Sequence, residues 1–195
     1  MKLIFILALG CIAKVLANEP AAQASVHLDD PARLISSETK WMKEREAKLT
    51  EYERTTGIKI LVQFHPKSPS EAEDKKPGAY MHALAKKLGV DRGGLLVVYF
   101  HDDPDWRVWI GDELTNAFTG KSGTVQELTA SEAIHETKEA MLTAAHAQAD
   151  AEIAKAQKNL PAGESLSVAQ RLVYQTEALL DLLQGKFTAK ESRPM

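Results

Sequence analysis

Aspartates and histidines collect at three places along a chain of 195 residues. Asp29 and Asp30 stand before Pro31. His65 follows the apolar run from Ile58 to Phe64. His101, Asp102 and Asp103 follow a second run, Leu95 to Phe100, which Asp91 precedes. Carboxylates brought into one crevice repel each other unless a cation is shared among them, and all-oxygen ligation suits calcium or magnesium. The same residues have a simpler use. Asp before Pro, and Asp in a hairpin turn, bond local backbone amides. Both readings are open at this point. Other chemistry is poorly served. There is no EF-hand loop, no H-E-x-x-H and no G-x-S-x-G, and His135-Glu136 lacks a second histidine at ligand spacing. The glycines of Asp91-Arg92-Gly93-Gly94 come before a strand, whereas a phosphate cradle follows one. No catalytic nucleophile can be named.

The elements that must position these residues follow from periodicity. Ile35, Met42, Leu49 and Tyr52 share one face of a helix expected over residues 36–55, which Gly57 ends. Ile58 to Phe64 reads as a strand rich in branched residues. A helix over 79–88 follows, ended by Gly89, and then the strand Leu95 to Phe100. This order implies a parallel pair joined by a right-handed crossover. Trp106 to Gly111 returns as an antiparallel strand after a tight polar turn. A short helix is expected over 114–118, a polar loop over 121–129, and long helices over 131–157 and 166–183.

In such a sheet the carboxyl ends of both parallel strands lie on one edge, where open α/β sheets bind ligands. That brings Asp29, Asp30 and Arg33 toward His65, His101, Asp102 and Asp103, and puts Asp91 on the opposite edge near Asp112. Trp41, Trp106 and Trp109 are read as packing residues.

Residues 1–17 read as a secretory signal: Lys2, an apolar stretch, and a small-residue cleavage site at Val15-Leu16-Ala17. Ala8-Leu9-Gly10-Cys11 also resembles a lipobox, so a lipid-modified Cys11 is the alternative. A leader over 18–25 follows. Cys11 is the only cysteine, so the processed chain has no disulfide and no thiolate. The formal charge of −3 becomes more negative once Lys2 and Lys14 leave. An acidic exported domain argues against nucleic acid as a partner. The expected product is a periplasmic or extracellular monomer with no transmembrane helix.

Taken in order, Leu28-x-Asp30-x-Ala32-x-Leu34-Ile35-Ser36, the helix ending at Thr56-Gly57, the turn Leu88-Gly89-Val90-Asp91, the strand Gly94-Leu95-Leu96-Val97-Val98 and the pair Ile110-Gly111 followed by Leu114 resemble the TPM domain family. Its members are exported and thylakoid-lumen domains linked to photosystem II repair. The resemblance implies a three-layer α/β/α sandwich with a small mixed sheet followed by C-terminal helices, in a domain over 26–185 and a flexible tail over 186–195. It implies a divalent cation, calcium or magnesium, and carries the family's acids to Asp30 and Asp91. With the acids placed at the edge, the metal candidates are Asp30, Asp102, Asp103 and Asp91, and Asp29, His65, His101 and Arg33 are further cleft candidates. Two functions follow from it: binding a cation or a protein partner in cell-envelope assembly or maintenance, or acting as a metal-dependent acid phosphatase on phosphomonoesters. Glu113 stands where a second glycine is usual, which adds a carboxylate beside Asp112.

Overall fold

The structure is a computed structural model that describes residues 27–188. The expected signal, the leader, Cys11 and the end of the tail lie outside these residues. Four strands form one sheet in the order β1 (Leu28–Asp29), β2 (Lys59–His65), β3 (Gly94–Phe100), β4 (Asp105–Ile110). β1, β2 and β3 run parallel, and β4 returns antiparallel, so the sheet is mixed as expected.

Side chains alternate across the sheet, and the alternation sorts the core into two layers. Ile60, Val62 and Phe64 of β2, Leu95, Val97 and Tyr99 of β3, and Trp106, Val108 and Ile110 of β4 face one side. There they meet α1 (Thr39–Thr56), α5 (Ala133–Lys158) and α6 (Val168–Thr188). Leu61, Leu96, Val98 and Phe100 face the other side and meet Met81 and Ala85 of α2 (Ala79–Lys87). Every residue of β3 is buried, as a strand covered on both faces must be. This is the three-layer sandwich, with helices α3 (Thr115–Thr119) and α4 (Val125–Ala130) linking the sheet to the long pair α5–α6.

Two crossovers advance the same way across the sheet, from β1 to β2 and from β2 to β3. Were both right-handed, α1 and α2 would share a face. They lie on opposite faces, so the two have opposite hands. The usual hand comes from strand twist, and β1, at two residues, has little of it.

Two local features depart from the sequence reading. Residues 121–129 were expected as loop, yet Val125–Ala130 is helical. Thr124 accepts the Glu127 amide at 3.2 Å, and Glu127 accepts the Thr124 amide at 2.8 Å, a reciprocal cap. Residues 28–36, to which the sequence pattern assigns no strand, form β1 and a turn. Asp30 sets that turn, accepting the amide of Leu34 on one oxygen and that of Ile35 on the other, each at 2.9 Å.

Candidate functional site

The strand register places polar residues in a row that the apolar pattern alone would not suggest. Asp29 pairs with Gln63, Gln63 with Val98, and Val98 with Arg107. These four lie side by side on the face that α2 covers. One step toward the carboxyl edge, His65, Phe100 and Asp105 form the next row. Gln63 is 9% exposed among apolar neighbours. A buried amide is costly unless bonded, and this one is bonded at both ends. Its Nε2 donates to Asp29 Oδ2 at 3.2 Å, and its Oε1 stands 3.0 Å from His65 Nε2. His65 Nδ1 lies 3.4 Å from the Tyr80 hydroxyl.

One proton arrangement satisfies this chain throughout. The Tyr80 hydroxyl donates to Nδ1, Nε2–H donates to the Gln63 oxygen, and the Gln63 amide donates to the Asp29 carboxylate. That arrangement holds His65 neutral. Burial lowers the His65 pKa below the ordinary imidazole value, against the opposing pull of the Asp29 charge. Burial likewise pushes the Tyr80 phenol up, helped by Glu73 and opposed by Arg107.

The long connection between β2 and α2 is tied across this edge at two points. Asp74 Oδ2 accepts Arg107 Nη1 at 3.0 Å, while Asp74 Oδ1 accepts the Tyr80 amide at 3.1 Å at the start of α2. The Arg107 guanidinium lies 5.1 Å from the centre of the Phe100 ring. Farther out, Asp102 Oδ1 accepts the Ser68 amide at 2.7 Å and its hydroxyl at 3.0 Å. The amide bond lowers the Asp102 pKa.

Of the residues singled out from the sequence, Asp29 and His65 are brought together, through Gln63. Asp30 lies beside them in the chain, with both oxygens turned to Leu34 and Ile35. Asp102 and Asp103 sit on the exposed β3–β4 turn, and Asp102 holds Ser68. The His101 amide bonds the His65 carbonyl at 3.0 Å, but its ring is 6.5 Å from that of Tyr99 on the opposite face. Arg33 is exposed, with a left-handed φ of 54° in the Asp30 turn. Asp91 lies at the other edge, where its carbonyl accepts the Asp112 amide at 3.1 Å and Trp109 Nε1 at 3.3 Å. Among the described residues no three His, Cys, Asp or Glu side chains are grouped to hold a metal ion.

Gln63, Tyr80 and Asp74 belong to this edge and were not singled out. A period-two signal was available for one of them: Gln63 and His65 stand two apart and so share a face. Tyr80 and Asp74 come from a loop and a helix start, whose placement no periodicity encodes.

A family model described as the TPM domain matches residues 28–156. Comparison with curated proteins returns no match. Among solved structures, the solution NMR structure of the N-terminal domain of a protein from P. gingivalis is similar at 17% identity and a TM-score of 0.48, over 85% of this chain and 87% of that one. Among the described residues no helix is long and apolar enough to cross a membrane.

Proposed function

The chain belongs to the TPM domain family, and from that premise we propose that it is a non-catalytic binding module whose ligand is a divalent cation held by Asp29, Gln63 and His65. One observation carries the reading. A carboxylate, an amide and an imidazole follow one another across a half-buried edge, where a strand pattern calls for apolar residues. For ligation, Nε2 of His65 presents its lone pair, and Nδ1 carries the proton and donates to Tyr80. A metal-bound imidazole commonly donates its other N–H to a neighbour in this way. A donor set of one nitrogen and two oxygens suits manganese or zinc better than calcium, which takes oxygen ligands throughout. The calcium expected at Asp30, Asp102 and Asp103 would compete with the amides of Leu34, Ile35 and Ser68 for the same oxygens. The module acts outside the cytoplasm, in assembly or maintenance of the cell envelope, as the signal read at residues 1–17 implies.

The phosphatase reading has one observation in its favour: the Ser68 hydroxyl donates to Asp102, pairing a hydroxyl with a carboxylate. Equilibrium dialysis of the mature chain against manganese, with p-nitrophenyl phosphate turnover measured on the same sample, separates the two. The binding account predicts one bound ion, lost in Asp29→Asn, with about tenfold weaker binding in Tyr80→Phe and no turnover. Turnover that depends on Ser68 and Asp102 would replace it with the enzyme.

A further inference from the structure

β4 is an outer strand of the sheet, and its register identifies which backbone groups face outward. In an antiparallel ladder, opposed residues alternate between pairs that exchange both backbone bonds and pairs that exchange none. The Gly111 amide donates to the Gly94 carbonyl at 2.9 Å, which makes those two a bonded pair. Stepping by two along the register, Leu96 with Trp109, Val98 with Arg107 and Phe100 with Asp105 are bonded pairs as well. Trp106, Val108 and Ile110 therefore turn their N–H and C=O groups away from β3. Among the described residues none of these groups bonds another part of the chain. Their side chains are buried in the larger core, so what they offer outward is backbone. An open strand edge of this kind is a template for pairing with another strand.

We propose that β4 pairs antiparallel with β4 of a second copy about a two-fold axis at Val108, joining the two sheets into one. Self-complementarity selects this occupant and this register. With Val108 opposite its counterpart, Trp106 stands opposite Ile110, and every outward N–H and C=O of β4 gains a partner. Arg107 then stands opposite Trp109 of the second copy, twice, in the non-bonded positions where cross-strand side chains approach most closely. A guanidinium against an indole is a favourable pairing. Both side chains are half-buried on the face of α2, and Trp109 is held by a stack with His82 at 4.8 Å. The neighbouring registers are worse. Centring on Arg107 opposes two guanidinium groups. Centring on Trp106 puts Pro104, which lacks an N–H, opposite Val108. Centring on Trp109 puts Trp106 opposite Asp112, beyond the end of the strand. Offsets between these pair an outward residue with one already bonded to β3.

Hydrogen exchange at two concentrations, with sedimentation equilibrium on the same samples, tests this on the unmodified chain. On passing from mostly monomer to mostly dimer, the Trp106, Val108 and Ile110 amides should slow by about tenfold or more. The Arg107 and Trp109 amides, bonded to β3, should keep their rates. Val108→Pro removes an outward donor and no ladder donor, so it should sediment as a monomer with β3 still protected. Should the proline variant fail to fold, the two-concentration comparison still decides. A chain that stays monomeric at millimolar concentration overturns the proposal. So does a dimer in which the Trp106, Val108 and Ile110 amides keep their monomer rates.

Discussion

Asp30 offers the sharpest test of how the acids of this edge are used. Its two oxygens accept the amides of Leu34 and Ile35, each at 2.9 Å, and so shape the turn that inserts Ile35, wholly buried, into the core. A hydrogen bond to a charged acceptor contributes about 1.5–3 kcal/mol, and the lower end applies here because Asp30 is only half-buried. Asp30→Ala loses both acceptors and should cost about 3 kcal/mol. Asp30→Asn keeps one oxygen and turns an NH2 toward the other amide, so about half that loss is expected. The assay is urea unfolding at neutral pH, once in chelator and once with excess calcium. The midpoint should fall in both variants with an unchanged denaturant slope, and equally in either buffer. A rise of the midpoint in chelator for Asp30→Asn would mean that repulsion among cation-binding carboxylates had been relieved. That result, or a calcium-induced gain that Asp30→Asn removes, refutes the turn assignment.

Further outcomes concern other parts of the fold. Arg45 is buried between α1 and α6 and bonds Glu177, which also accepts from Trp41; Arg45→Met should cost about 3 kcal/mol in urea unfolding by leaving Glu177 short of its cation. A Cβ at Gly111 would lie 2.3 Å from the Arg92 carbonyl oxygen and 2.7 Å from that of Gly94; Gly111→Ala should cost about 2–3 kcal/mol, since backbone must move, and a change below about 0.5 kcal/mol would contradict the close approach. Because the folded pKa of His65 is lowered, the unfolded chain takes its proton first as the pH falls. The His65 contribution is therefore present above pH 6.5 and lost as the pH drops through the folded value, and a urea-midpoint profile of His65→Gln should fall less than the parent below pH 6.5.

The parts of this molecule with strong periodicity were legible in its sequence. Leu95–Phe100 and Ile58–Phe64 announce a covered parallel pair by largely apolar runs. Leu172, Leu179 and Leu183 repeat at helical spacing and are buried, whereas Val168 on the same spacing is exposed. β1 was not legible. At two residues it has no pattern of its own, and its pairing with β2 comes from tertiary contact. The helix at Val125–Ala130 was legible in principle, because Thr124 and Glu127 stand at capping-box spacing, but the polar composition around them reads as loop. At the candidate site, chain order brought Asp29 near His65, while Gln63, which joins them, was read only as part of a strand. Asp30, Asp102 and Asp91 show why aspartates alone are weak signals. Asp30 bonds the amides of its own turn, Asp102 bonds that of Ser68, far away in the chain, and Asp91 lies on the other edge.

Whether Asp29 and His65 share an ion is the most direct test of the proposed function. Unfolding of the chelated mature chain, repeated with manganese at about a hundred times its dissociation constant, should show a gain of about 2.7 kcal/mol. Asp29→Asn and His65→Gln should each abolish that gain, while Asp102→Asn and Asp91→Asn should retain it. A stability indifferent to manganese, zinc, calcium and magnesium alike, or a gain that survives both first variants and disappears in Asp102→Asn, would contradict the account.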